Sequence, residues 1–479
     1  MTRTTSRAGV ALLTVLAVGL AGCGTEKTST APAATTAAAA PVTTAAAGAA
    51  TTAAAATTAA AATTAAAAPK ADLKTGPGMS ATEIKLGVIT DETGTYAALG
   101  KGTVQGLNLF WDEQNAAGGV CGRKVTFVKR DAGYDVQKAV AAYNEIKDQV
   151  LALQQQLGSP MTTALLPQID ADKMMTSPVS WASNLLASKY IVMAGTPYSV
   201  EMIDGIDFLM KEKGLKAGDK VGMIYANSEY GKNGFLGATI MAKARGFELI
   251  GEAVDSKAAE ATAQMSKFKD AGVKAVLLTH SPKMTASVLP WAVANGLNVP
   301  FLGSNPTWDP EFLKGPAKDA LVSNFYVAQS ASTFNDAGAG PSKVRDLFTK
   351  KYPTVEPQNS VTFGYGQANI FFQILKKACD LGDMSRDGLA TAFTQMKAID
   401  TGGILSPIDY SNPGQPPARE VIVASPDAGA KGGLKQLTPL FSAPEAKAFT
   451  LDKQAIPVAT TAAPATTVAP TTVVPVASS

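Results

Sequence analysis

Residues 84–146 read IKLGVITDETGTYAALGKGTVQGLNLFWDEQNAAGGVCGRKVTFVKRDAGYDVQKAVAAYNEI, and this stretch decides the fold. Ile84 to Ile89 is a short β-branched run of the kind that forms a buried strand. Val104, Leu107, Phe110 and Trp111 then share one helical face, and Gly118-Gly119 stops the helix. Val125 to Val128 makes a second strand. Asp135 stands as N-cap before a helix that places Ala139, Val140, Tyr143 and Ile146 on one side. Strands alternating with helices of this length predict a parallel sheet covered on both faces.

The series continues with a strand at Val150 to Leu153, a helix after Ser159-Pro160 and a strand at Lys173 to Thr176. A second series follows. Its strands are expected at Lys220 to Tyr225, Leu249 to Val254, Ala275 to Thr279 and Val299 to Leu302. Its helices are expected from about Asn233 to Arg245, Ala259 to Ala271 and Met284 to Asn295. Two series in one chain predict an α/β protein with two Rossmann-like lobes. Ligands of such sheets bind at the carboxyl ends of the strands, where loops and helix N-termini meet.

The ends of the 479-residue chain have a different character. Arg3 and Arg7 precede an apolar run from Val10 to Leu20, the layout of a signal peptide over residues 1–22. Leu20-Ala21-Gly22-Cys23 resembles the lipobox of bacterial lipoproteins, in which the cysteine is acylated and becomes the new N-terminus. From 28 to 69 only Ala, Thr, Ser, Pro, Val and Gly occur, and AIPVATTAAPATTVAPTTVVPVASS closes the chain in the same style. Segments 23–79 and 446–479 therefore read as solvated tethers without an apolar stripe to bury. The formal net charge of +3 belongs to these ends, through Arg3, Arg7, Lys27 and Lys70 against Glu26. Residues 71–453 are neutral, which argues against a nucleic-acid partner engaged through a basic face.

Several motifs suggest chemistry and fall short of it. Gly100, Gly102 and Gly106 are spaced one residue too far apart for a dinucleotide fingerprint, and Gly102 stands where a phosphate loop needs Ser or Thr. Ser266-Lys267-Phe268-Lys269 fits S-x-x-K but lies on a helix surface. The single histidine, His280, excludes metal sites that need two histidines and has no nucleophile motif beside it. No catalytic residue, metal or cofactor is assigned, and the chain reads as a non-enzyme.

The strand-helix stretch quoted above, together with GDKVGMIYANSEYGKNG, GVKAVLLT and VPFLGSNPTWDPEFL, resembles the type I periplasmic solute-binding proteins of ABC importers. The likeness is to the branched-chain amino acid and amide-binding group and spans about 82 to 440. It implies two lobes joined by three crossover segments near 195–200, 322–330 and 403–410. Lobe 1 would comprise 80–197 and 325–405, and lobe 2 would comprise 198–324 and 406–445. The first lobe would regain the helix Tyr365 to Cys379, and the second would end in a hairpin from Arg419 to Leu437. The family implies a monomer that delivers its ligand to ABC permease and ATPase subunits, and the lipobox likeness implies a lipid on Cys23 that holds it at the extracytoplasmic face of the membrane. An envelope sensor that signals without transport is the alternative. The resemblance places Cys121 and Cys379 in the first lobe, where they are either a disulfide or two separate thiols.

Ligand contacts are expected at strand-end loops. In the first lobe these give Tyr96, Ser159 and Thr162, then Ser180 and Trp181, whose loop corresponds to the family's segment for the ligand's polar head. In the second lobe they give Tyr230, His280 and Asn305. One departure from the amino-acid binders stands out. Their acidic partner for the ligand's ammonium group is replaced here by Gly303-Ser304-Asn305-Pro306-Thr307-Trp308, with Asp309 several residues late. A less cationic ligand follows, such as an amide, an aromatic acid or an apolar carboxylate.

Overall fold

The computed structural model describes residues 73–451, all within one compact unit. The signal segment, Cys23 and most of both tethers lie outside the described residues. A four-stranded parallel sheet is built from Glu83–Thr90 (β1), Lys124–Asp131 (β2), Ala152–Leu157 (β3) and Thr176–Val179 (β4), in the order β2-β1-β3-β4. A seven-stranded sheet contains Lys220–Ala226 (β5), Glu248–Val254 (β6), Ala275–Thr279 (β7), Phe301–Ser304 (β8) and Phe325–Gln329 (β9). Ile422–Pro426 (β10) and Leu434–Gln436 (β11) complete it as an antiparallel hairpin, giving the order β11-β10-β9-β8-β7-β5-β6.

The apolar runs have a direct cause in the larger sheet. Along β7, Ala275 and Leu277 enter one core while Val276 and Leu278 enter another on the opposite face, and all four are fully buried. A parallel strand covered on both sides needs apolar residues at every position, because successive side chains point to opposite faces.

The helices that position the site are Ala97–Ala116 (α1), Val136–Ile146 (α2), Ser159–Ala171 (α3), Tyr198–Glu212 (α4) and Glu229–Arg245 (α5). Asp135 caps α2 as expected, its carboxylate accepting from the Lys138 amide at 3.0 Å. Two strands run later than expected. Strand β3 passes through Gln154, Gln155 and Gln156, because each buried glutamine finds a hydrogen bond. Gln154 accepts from the Trp111 indole at 3.1 Å, and Gln155 donates to Thr90 at 2.7 Å. Strand β4 starts only at Thr176, since Lys173 takes a positive φ of 52° in the turn that closes α3.

The chain passes between the sheets three times. After β4 it leads into α4, which packs on β8 and β9. After β9 it returns to the long helix Ser360–Leu381, packed along α1. From there it comes back to β10. The second and third passages lie side by side: the Ser332 amide bonds Ile404 O at 2.8 Å and the Ser406 amide bonds Ser330 O at 2.7 Å. The Thr196 hydroxyl of the first passage reaches Glu420 O at 2.8 Å. Phe325–Gln329 is a strand of the larger sheet, so the second passage begins after Gln329. Cys121, in the turn after α1, is disulfide-bonded to Cys379 near the end of the long helix, with Cα atoms 6.0 Å apart.

Candidate ligand-binding site

Loops from the carboxyl ends of both sheets meet in one gap. After β1, Asp91 turns the chain: its carboxylate accepts from the Gly94 amide at 2.5 Å and from the Tyr96 amide at 2.8 Å. The neighbouring Asp131, at the end of β2, accepts from the Glu92 amide at 2.9 Å and the Thr93 hydroxyl at 2.7 Å. Burial pushes the Asp91 carboxyl up while these amide donors oppose it. The two aspartates fix the loop that carries Tyr96.

Tyr134, beyond β2, takes a φ of 55°, uncommon for a bulky residue. That conformation sets its ring 4.4 Å from Tyr96. From the other side come Tyr198, the first residue of α4, and Tyr230, near the start of α5, with ring centroids 4.5 Å apart. Tyr230 meets Tyr96 edge-on at 6.5 Å. Burial pushes all four phenols above the usual tyrosine range, so they stay neutral.

Leu157, Gly158, Ser159 and Val179 line a small space together with these rings, and Leu99 and Pro306 complete its border. Gly158 has a φ of 101°, and a Cβ there would fall 2.0 Å from Met161 Cε and 3.0 Å from the Tyr134 ring. As N-cap of α3 it brings no side-chain cap, which leaves amides of the first turn and the positive end of the helix dipole at the cleft. Ser159 Oγ lies 2.7 Å from Ser180 Oγ. A second small space adjoins the first across Leu99 and Pro306. Asn305, Trp308, Gln329, Gln358, Asn359 and Ser360 also border it. Among the described residues, no Asp, Glu, Lys or Arg lines either space.

The residues expected from sequence divide accordingly. Tyr96, Ser159 and Tyr230 line the first space and Asn305 the second, while Ser180 stands behind Ser159. Three others are engaged elsewhere. The Thr162 hydroxyl donates to Gly158 O at 2.8 Å, inside its own helix. Trp181 is fully buried, donates to Ala194 O at 3.0 Å and backs Tyr198 with its ring. His280 accepts from the Ser281 amide at Nδ1 and donates from Nε2 to Asp255 O, both at 2.8 Å. Burial lowers its pKa, and the neutral ring ties two loops together. Tyr134 and Tyr198 were legible only as strand-end and helix-start positions. Ser360 opens a helix that follows no strand, and nothing in the sequence marks it.

Acidic groups stand near the gap without lining it. Glu201 of α4 is fully buried, with one oxygen accepting from the Asn305 amide at 3.2 Å and the other without a partner. Burial, then the nearby Asp204, holds its carboxyl well above the usual range, against the Asn305 amide. Asp309 accepts from the Glu311 amide at 3.0 Å, and burial raises it as well. Neither side chain borders the two spaces.

Two α/β sheets with a gap between their strand ends define a two-lobed binding protein of the kind that holds a small molecule in a cleft. The sequence model of the periplasmic binding protein family matches residues 83–432, and the chain belongs to that family, among its type I members. It is 37% identical to a fatty acid ABC transporter substrate-binding protein from Thermomonospora curvata. That match covers 79% of this chain and 97% of the other, at a TM-score of 0.77. A branched-chain amino acid ABC transporter protein from Thermus thermophilus with bound valine is 20% identical over 78% of this chain and 99% of its own, at a TM-score of 0.68. A leucine-binding protein from Thermotoga maritima is 17% identical over 76% and 99%, at a TM-score of 0.64. The last two share the fold. No curated protein sequence matches the chain.

Proposed function

We propose that this protein is an extracytoplasmic solute-binding lipoprotein, anchored through Cys23, that captures a carboxylate with an uncharged body and passes it to an ABC importer. The observation that carries this reading is the lining of the first space: four neutral tyrosines, no charged side chain, and Ser159 at the uncapped start of α3. A carboxylate head suits hydroxyl donors and helix-end amides, and an apolar or aromatic body suits the tyrosine faces. An ammonium group would be desolvated there without a partner, which is costly. The name of the Thermomonospora relative, a fatty acid transporter protein, points the same way.

The lobes would be 80–197 with 330–405 and 198–329 with 406–445, hinged on the three passages. Affinity comes from desolvation between the lobes plus a few fixed hydrogen bonds, and a ligand touching both lobes favours closure. The test is calorimetric titration of the purified protein with straight-chain and aromatic carboxylates beside leucine, isoleucine and valine. Tight binding of the amino acids, with none of the plain acids, overturns the reading. Mass spectrometry of the mature N-terminus decides acylation of Cys23.

A further inference from the structure

We infer that the ligand is longer than an α-amino acid and carries a carboxylate at one end and a neutral hydrogen-bonding group, a hydroxyl or a carboxamide, at the other. This rests on the proposed function and narrows its ligand. Leu99 and Pro306 border both spaces, so the two are neighbouring parts of one gap. Their chemistry differs. The first is aromatic with hydroxyls and amides at one wall, whereas the second is bordered mainly by carboxamides and a hydroxyl.

Part of that second wall is already satisfied. Asn359 donates to Gln329 at 3.1 Å and accepts from the Phe334 amide at 2.8 Å, and Gln329 donates to Ala331 O at 2.7 Å. These groups form a fixed surface. The Ser360 hydroxyl is shut off from solvent and has no hydrogen-bond partner. Its oxygen packs against Gly102 of α1, where a Cβ would fall 2.2 Å from it, so the Asn305 and Gln358 side chains are the groups left to meet a ligand at this border. A methyl-ended chain entering this space would cover these polar groups without bonding them, at the cost of their desolvation. A terminal hydroxyl or carboxamide restores the bonds. A second carboxylate is disfavoured, because no cation lines the space.

The experiment is calorimetric titration of the whole protein with straight-chain acids from butanoate to octanoate, each paired with its terminal hydroxy acid and terminal amide of equal length. The expected result is roughly tenfold tighter binding of the polar-ended member, the worth of one well-made hydrogen bond. That preference, read as the affinity ratio within each pair, should collapse in Asn305→Leu and Gln358→Leu. Plain acids binding as well as their polar-ended partners, or a preference that survives both substitutions, overturns the inference and leaves the carboxylate reading standing. If neither series binds, the carboxylate reading falls and this inference falls with it.

Discussion

Ser159 Oγ and Ser180 Oγ lie 2.7 Å apart, joining the loop after β3 to the loop after β4 at the uncapped start of α3. The pair presets a hydroxyl where a carboxylate head meets helix-end amides. Ser159→Ala is expected to weaken carboxylate binding about tenfold through loss of one donor. Ser180→Ala should weaken it less, since Ser180 acts by orienting Ser159. Titration calorimetry reads both, and equal or absent effects would remove Ser159 from the head-group site.

Asn233 of α5 reaches across the gap. Its amide nitrogen donates to the Ser183 hydroxyl beyond β4, and its oxygen accepts from the Ser199 amide at 3.1 Å. It thus ties α5 to the loop beyond β4. Asn233→Ala is expected to shift the population towards the open form and raise the ligand Kd several-fold, with little change in secondary structure. Small-angle scattering of the ligand-free variant should show a larger radius of gyration; an unchanged radius and an unchanged Kd would count against the role.

Asp204 sits on the buried face of α4, accepting from the Ala443 amide at 2.7 Å. Burial, reinforced by Asp207 and Glu420 and opposed by the Ala443 amide and Lys447, pushes its carboxyl up to about 8 from 3.8. Between those values the folded protein holds a proton that the unfolded chain has lost. Stability therefore falls as pH rises from about 4 and the loss is complete above about 8. Asp204→Asn keeps the acceptor for Ala443 and removes the titration. It should flatten the stability profile between these limits by up to roughly 1.4 kcal/mol per pH unit. Urea unfolding at successive pH values measures it, and a variant with the parent's slope would show that other carboxyls carry the dependence.

The Cys121–Cys379 bond lies near the far end of the long helix from Ser360, about 28 Å along the axis at 1.5 Å per residue. It fastens the turn after α1 to the helix packed on α1. Replacing both cysteines by serine is expected to lower the unfolding free energy by about 2–4 kcal/mol. Ligand affinity should not change. A loss of binding in the folded double variant would connect this end of the lobe to the cleft.

Much of the fold was legible in the sequence, and the misses have identifiable causes. The apolar run of β7 and the N-cap at Asp135 follow from local pattern and were read to within a residue. Gln154 to Gln156 hid the extent of β3, because polar residues enter a strand core only when distant partners such as Trp111 and Thr90 satisfy them. At the site, a strand-end position selected Tyr96, Ser159 and Tyr230, which border the first space, and equally selected His280 and Thr162, whose side chains bond elsewhere. Position along the chain does not say where a side chain finds its bond. His280 found the Asp255 carbonyl, and Thr162 found its own helix.

The sequence by itself determined the alternation of strand and helix, the two series and the neutrality of residues 71–453, because these depend on residue types at short spacing. Only the tertiary structure decided the composition of the cleft. Tyr96, Tyr134, Tyr198 and Tyr230 come from four separate loops and helix starts, and Ser360 from a helix that returns to the first lobe. Whether the acidic residues of α4 and the loop after β8 would face a ligand was likewise a matter of packing. Packing put Glu201 behind the Asn305 amide, and among the described residues it left the borders of both spaces without a charged side chain.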